Sequence, residues 1–384
     1  MIERSGVDAS AERGGRWAWA EIDLDAIAHN VAALGAMAAP GVLCAVVKAN
    51  GYGHGAVPAA RAALEGGALW LAVALVSEGV ELREAGITVP VLVLSEPPPD
   101  QFAACALWGL TPTVYTPVGI GAAAAAKVGN VHLKVDTGMH RVGATPADTG
   151  SLLAMIDSSE GIALGGVFTH LACADADNQS VSMAQLALFA DVAPTVSFRH
   201  VANSAGLING LSHNMAMARA GIAIYGIAPA PNMVGADVDL RPALSLKARV
   251  SLVKRVAAGT AVSYGHRYRT ESETTLATVP IGYADGVPRR LGIVGGRVLI
   301  GGHPHPIAGV VTMDQLVVDV GNLDISVGDE VVLIGTQGTA NIDAYDWAQR
   351  LDTIAYEIVC SISSRVPRVY FGAMYNSTIP EVAQ

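Results

Sequence analysis

Basic residues are in short supply: 24 Lys and Arg stand against 34 Asp and Glu, a formal net charge of −10. No local cluster of Lys or Arg offsets the deficit, which excludes a broad positive surface for nucleic acid or an anionic membrane. Cysteine is sparse as well. Cys44, Cys105, Cys173 and Cys360 lie far apart with no C-x-x-C pair, so neither a zinc knuckle nor a disulfide framework is indicated, and a reducing cytosol suits them. No metal site is expected. The leading MIERSGVDASAERGGR has no apolar centre and does not read as a signal peptide. One uncharged stretch, Gln101 to Ala126, has the length of a membrane span. Gly109, Pro112, Pro117, Gly119 and Gly121 interrupt it, so it reads as strand and turns. Glycine and proline, 42 and 19 of 384 residues, stay below the roughly 25–30% of low-complexity chains.

What remains is an apolar chain, 51% hydrophobic and 15% charged, long enough for two or three domains. A soluble, cytoplasmic protein is expected. From about residue 40 to 226, short β-branched runs alternate with Ala-rich helical segments. The strand candidates are Leu43–Asn50, Ala68–Val76, Val89–Ser95, Leu110–Thr116, Val131–Thr137, Ile162–His170, Thr195–Ser204 and Met217–Gly226, eight in all. Most are continuously apolar, as strands covered on both faces must be. Helical segments such as Ala56–Glu65, Ser77–Ala85, Val118–Lys127, Pro146–Asp157 and Gln179–Val192 separate them. Eight alternating units point to a (β/α)8 TIM-type barrel. An open doubly wound sheet is the rival, but the G-x-G-x-x-G turn after a first strand is missing.

After about residue 240 the texture changes to strands with Gly-containing turns: Leu244–Val256, Ala261–Tyr264, Thr274–Pro280, Arg297–Ile300, Pro306–Thr312, Gln315–Val320 and Glu330–Ile334. A short helix is expected over Asn341–Leu351 and a strand near Tyr356–Ser363. The expected fold class is therefore α/β, an N-terminal barrel over 15–240 followed by a C-terminal, mainly β domain over 241–384. Residues 1–14 are expected to be disordered or packed on the β domain.

Lysine occurs only at positions 48, 127, 134, 247 and 254. Lys48 ends the apolar run LCAVV and precedes ANGYGHG, the C-terminal end of a strand, where barrels carry their active sites. The ordinary alternative is a strand-end lysine snorkelling to solvent. A partly desolvated lysine suits bonding to a carbonyl carbon, since burial favours the neutral amine. Lys134 and Arg141 flank VHLKVDTGMHRVG and could hold an anion, though Asp136, Thr137 and Gly138 also suit a structural turn. His170, at the end of strand six, could equally be a satisfied core histidine. Asn203-Ser204 and Arg219-Ala220-Gly221-Ile222 fall at strands seven and eight, where barrels often hold phosphate.

AVVKANGYGHG, VHLKVDTGMHRVG, ANSAG, RAGIAIYG, VSYGHRY, PIGYADG, TMDQ and YEIVCSISSRVPR stand in this order over Ala45–Arg368. Together they resemble the alanine racemases, pyridoxal 5'-phosphate enzymes built of a barrel and a β domain. The resemblance implies a racemase interconverting L- and D-alanine by two-base proton transfer, supplying D-alanine for peptidoglycan, and working as a homodimer with shared active sites. It implies that Lys48 bonds the cofactor aldehyde and is one acid/base group, serving D-alanine. Tyr264, from the partner subunit, is the other, with His170 orienting it. Arg219 faces the pyridine nitrogen. Arg141 contacts the phenolic oxygen and the substrate carboxylate, and Lys134 matches a lysine that is carbamylated in some members. Tyr52, Asn203, Ser204, Gly221, Ile222 and Tyr356 match the cofactor-holding set. Met313, again from the partner, offers its N–H to the substrate carboxylate. Asp175, Tyr283 and Arg289 match the entrance.

Two positions depart from the pattern G-R-x-C-M-D-Q. Val310 replaces an entrance arginine and Thr312 replaces a cysteine beside the carboxylate site, which leaves substrate range open. The competing readings are a serine or broad-specificity racemase and a non-catalytic protein that binds pyridoxal phosphate. A basic amino-acid decarboxylase is disfavoured, because Cys360 in EIVCSIS does not match its cysteine-bearing acidic motif.

Overall fold

The computed structural model describes residues 16–193, 196–235 and 238–373; the expectation for 1–14 lies outside the described residues. The chain divides into two units, 24–242 and the remainder. In the first, eight strands form one parallel sheet: β1 (Val42–Val46), β2 (Trp70–Val73), β3 (Val91–Val93), β4 (Thr111–Val114), β5 (Gly129–Lys134), β6 (Ile162–Phe168), β7 (Arg199–His200) and β8 (Met217–Ala220). Each pairs with the next as far as β7, and β1 pairs with β8. Two backbone bonds close the ring, Ala216 N–H to Arg199 C=O at 2.9 Å and Arg219 N–H to Ala202 C=O at 3.0 Å. Apart from the first residues of β5 and β6 the strands are largely buried, as Leu43 to Val47 illustrates, because helices cover the outer face. Local chemistry sets those helices. Thr116 and Thr145 accept N–H bonds from Gly119 and Asp148 at the starts of Pro117–Ala126 and Pro146–Ser158, each with proline in the first turn. All eight expected strands and all five expected helices occur here, although the strands are shorter than expected.

Three features go beyond or against the sequence expectations. The helix Leu24–Ala38 precedes β1 and packs on the helices Ala56–Glu65 and Ser204–Ile208. Its buried Asn30 bonds the carbonyls of Ile224 and Arg241 and accepts the Arg241 N–H. The stretch Gln101 to Ala126 contains two short helices, Phe102–Leu107 and Pro117–Ala126, around β4, and no helix among the described residues is long and apolar enough to cross a membrane. Third, the strand Ala18–Asp23 does not join the barrel. It runs antiparallel to Leu244–Arg249 and parallel to Arg368–Phe371. Its alternating burial fits a sheet covered on one face, unlike β1 to β8. The barrel unit therefore begins at residue 24 rather than 15.

In the second unit the largest sheet runs His303–Pro306, Arg297–Ile300, Glu330–Gln337, Leu244–Arg249, Ala18–Asp23, Arg368–Phe371. A three-stranded sheet of Leu252–Val256, Thr274–Val279 and Leu316–Gly321 accompanies it. The expected single strand over 244–256 is two strands. Val250 N–H bonds Asp329 C=O, just before Glu330–Gln337 of one sheet, and Ser251 N–H bonds Thr278 C=O in the other, so the chain changes sheets between them. The expected strand over 306–312 is not formed. Its place is taken by His303–Pro306, and beyond that only Ile307 makes an isolated bridge. The expected strand near 356–363 is the helix Ala355–Ser361. Ala355, Ile358, Val359 and Ile362 are buried, a helical spacing masked by β-branched residues in the sequence EIVCSIS.

Candidate active site

The barrel interior contains a chain of hydrogen bonds ending on Arg219. Arg219 leaves β8 and is 3% exposed. One terminal nitrogen donates to His200 Nδ1 at 2.6 Å; the other donates to Thr169 C=O at 2.8 Å, Val201 C=O at 3.2 Å and His170 Nδ1 at 3.4 Å. A guanidinium only donates, so His200 Nδ1 must accept, and its proton sits on Nε2. That nitrogen lies 2.9 Å from His132 Nδ1, which accepts in turn. Burial first, and then the guanidinium charge, push His132 down to about 3 and His200 well below the ordinary histidine range. Both rings are neutral. Phe168 stacks on His200 at 4.6 Å and lies 5.0 Å below the guanidinium carbon. A side chain at Gly166 would come within 3.0 Å of the His132 ring and 2.9 Å of Phe198, which explains the glycine on this strand. Arg219 is lowered by burial to about 10 and keeps its charge at working pH.

Lys48 does not belong to a strand, since β1 ends at Val46. It opens a turn in which Ala49, Asn50, Gly51 and Tyr52 have φ of 53°, 52°, 61° and 52°. Left-handed backbone costs non-glycine residues roughly 1–2 kcal/mol each, so the surroundings must hold it. They do so through Gly51 N–H to Val47 C=O at 2.9 Å, Gly55 N–H to Asn50 C=O at 2.8 Å, and Ala56 N–H to the Asn50 side chain at 2.9 Å. Tyr52 is buried against Tyr225, ring centres 5.2 Å apart. Its hydroxyl occupies the space a Cβ at Gly221 would need, 2.5 Å away. Ser204 Oγ accepts Gly221 N–H at 2.9 Å and Ala223 N–H at 3.4 Å. The Asn203 side chain caps the following helix at Gly206 N–H, so it shapes this loop. Tyr52, Ser204, Gly221 and Ile222 are all buried around one cradle.

Lys134 ends β5 and is 5% exposed, its ammonium 5.6 Å from the Phe168 ring centre. Burial, then Arg219, Arg141 and Lys48, push its amine down to about 8 against an opposing pull from Asp136. Asp136 itself is raised by burial, but N–H bonds from Gly138, His140 and Met139 outweigh that and hold it low. Its carboxylate thereby folds the loop that carries the exposed Arg141. His170 follows β6 and is pushed down to about 2 by burial and by Arg219, Lys134, Arg141 and Lys48. Asp175 is exposed in the same unit.

The other expected residues lie in the β unit. Tyr264 is 68% exposed on a short turn between Ser263, whose hydroxyl bonds Val310 C=O at 2.6 Å, and Gly265. Val310 itself is buried. Met313 is 52% exposed in a tight turn closed by Thr312 N–H to Gln315 C=O at 2.9 Å. Tyr283 N–H bonds Thr312 C=O and Ala284 N–H bonds Met313 C=O, which ties the Tyr283 and Met313 turns together. Buried Asp285 pairs with Arg16 at 2.6 Å and Arg365 at 3.3 Å, and Arg365 pairs with Asp314 at 2.7 Å. Arg289 is exposed, and Tyr356 lies on the helix Ala355–Ser361.

The model of the alanine racemase N-terminal domain matches residues 22–229, and that of the C-terminal domain matches 243–370. The chain belongs to the alanine racemase family. It is 47% identical to the alanine racemase of Symbiobacterium thermophilum, over 94% of this chain and 98% of that one. Identity to the Thermobifida fusca enzyme is 44%, over 93% and 99%. Among solved structures, the alanine racemase from D-cycloserine-producing Streptomyces lavendulae matches with a TM-score of 0.88 at 41% identity, over 95% and 99%. A histidine racemase from Leuconostoc mesenteroides matches with a TM-score of 0.86 at 28% identity, over 94% and 99%. The fold is thus shared by racemases of different substrates. His132 and His200 were not anticipated from sequence. The available signal was spacing, since His132 and Lys134 stand two apart on one face of β5.

Proposed function

We propose that this chain interconverts L- and D-alanine, with pyridoxal 5'-phosphate as resident cofactor and a cytoplasmic homodimer as the working unit. The observation that carries the reading is a lysine on a fixed left-handed turn in the same barrel as a buried, permanently charged Arg219. The residues present fit the cofactor. Tyr52 and Ser204, with a glycine at 221 that lets the Tyr52 hydroxyl lie close to the backbone, suit a phosphate. Arg219 Nε donates to no group among the described residues and would face a ring nitrogen. When bound, pyridoxal phosphate supplies a conjugated ring that spreads charge developing at the substrate α-carbon.

The chain's own groups do the rest. Lys48 Nζ takes and returns the proton on one face, and Tyr264 Oη of the partner subunit acts on the other. Arg219 donates a hydrogen bond without giving up its proton. Because His170 Nδ1 faces Arg219, its proton sits on Nε2. His170 therefore stays neutral and orients Tyr264 by donating to its oxygen. Arg141 and the Met313 N–H of the partner hold the substrate carboxylate, and Tyr283, Arg289 and Asp175 border the entrance. The exposure of Tyr264 and Met313 supports their serving a second subunit. Lys134, lowered amid three cations, suits a carbamate that would position Arg141. A broader amino-acid range is the second reading, favoured by Thr312 beside the carboxylate site. The test is borohydride trapping of the cofactor in the purified protein: one labelled peptide containing Lys48 is expected, and trapping on another lysine would overturn the assignment.

A further inference from the structure

Glu78 occupies the third position of the helix Val76–Glu84, where a carboxylate ordinarily reaches back to the start of its own helix. One of its oxygens does this, accepting Ala74 N–H at 2.8 Å and Leu75 N–H at 3.0 Å. The other oxygen does something a helix cap does not require. It accepts the Ala49 N–H at 2.6 Å, in the loop after a different strand. β1 and β2 are neighbours, with Val46 opposite Ala72, so one half-buried carboxylate joins the loops at the ends of two adjacent barrel strands.

The Ala49 N–H belongs to the peptide that joins Lys48 to Ala49. Its direction sets the ψ of Lys48 and the entry into the left-handed turn that follows. An ionised carboxylate only accepts and makes stronger bonds to N–H than a neutral amide does. We propose that Glu78 is a positioning residue for Lys48: by gripping the Lys48–Ala49 peptide and the neighbouring loop together, it fixes where the lysine side chain leaves the backbone. The role rests on the reading of Lys48 as the amine that bonds the cofactor.

The experiment separates this role from helix capping. Leu75 is exposed, extended at φ −117° and ψ 149°, and sits at the helix cap, so aspartate there can satisfy the helix start by itself. Wild type, Glu78→Ala and Glu78→Ala/Leu75→Asp are compared as full-length protein. Three readouts are taken: melting temperature, amide exchange at Ala49, and the rate of borohydride-trapped pyridoxal phosphate on Lys48. Glu78→Ala should lower the melting temperature, speed Ala49 exchange and slow trapping by about 10- to 100-fold, the range expected of a misplaced reacting group. The double variant should regain the melting temperature and leave exchange fast and trapping slow. Recovery of trapping along with stability would reduce Glu78 to a helix cap and overturn the proposal, as would an unchanged trapping rate in Glu78→Ala. If Glu78→Ala does not fold, Glu78→Gln replaces it, with the same slowing expected and the same refutation. If wild type traps nothing on Lys48, the reading of that lysine has failed. Acylation of Lys48 relative to exposed Lys127 in cofactor-free protein then decides the positioning role: slower labelling in the variant supports it, and equal labelling overturns it.

Discussion

Substituting Gly221 by alanine should weaken cofactor binding, and the structure gives the size of the effect. The new methyl would lie 2.5 Å from Tyr52 Oη and 3.1 Å from its Cζ, about 1 Å inside the usual contact distance for the nearer atom. Gly221 has a negative φ of −107°, and the penalty considered is the crowding. Tyr52 cannot swing away cheaply, because it is buried against Tyr225, whose ring stacks on His54 at 4.3 Å. Overpacking of this kind costs about 1–3 kcal/mol; where Tyr52 shifts to relieve it and must return to hold the phosphate, binding bears that cost, about 5- to 150-fold in a dissociation constant. Absorbance titration with pyridoxal phosphate measures it. Tyr52→Phe removes the nearest clashing atom, so the double variant should lose less than the sum of the single losses. Unchanged affinity in Gly221→Ala, or strictly additive losses, would refute the idea that this cradle holds the phosphate.

The neutral histidines predict acid lability. His132 and His200 are held below the ordinary value of about 6.5 by burial and by Arg219. Their contribution to stability is therefore present above that pH and lost as pH falls below it, by up to about 1.4 kcal/mol per group per pH unit. Denaturant unfolding between pH 7.5 and 5.5 should show about two protons taken up from these sites, reduced in His132→Asn; stability flat over this range would contradict the tautomer chain. For Lys134, whose amine is pushed down to about 8, 13C-bicarbonate should give a carbamate signal that grows as pH rises through that value. The signal should vanish in Lys134→Ala, and no signal in wild type would exclude the modification.

How legible the molecule was follows from where its information lies. The barrel strands were readable because burial on both faces leaves continuous apolar runs such as LCAVV, and the Lys48 motif followed directly from a strand end. The strand Ala18–Asp23 misled because its partners, Leu244–Arg249 and Arg368–Phe371, are over 200 residues away in sequence. No local pattern reports such a pairing. The helix Ala355–Ser361 misled for the opposite reason, since β-branched residues suggested a strand while the buried spacing obeyed a helix. In the site, single motifs pointed to Arg219, Tyr52 and Ser204. The links between them did not show, because His132, His200 and Glu78 act through bonds between strands or loops that only closure of the barrel brings together.

The central claim is that Lys48 and Tyr264 act on opposite faces of the α-carbon. It is tested most directly by solvent deuterium incorporation into D- and L-alanine by Tyr264→Phe, which keeps the ring and removes the hydroxyl. Racemisation in both directions should fall by about 10²–10⁴, the usual cost of losing a general acid/base group. Exchange of the α-proton of D-alanine, on the Lys48 face, should survive while that of L-alanine is lost. Equal residual exchange from both enantiomers would contradict the account, since one mobile base would then serve both faces.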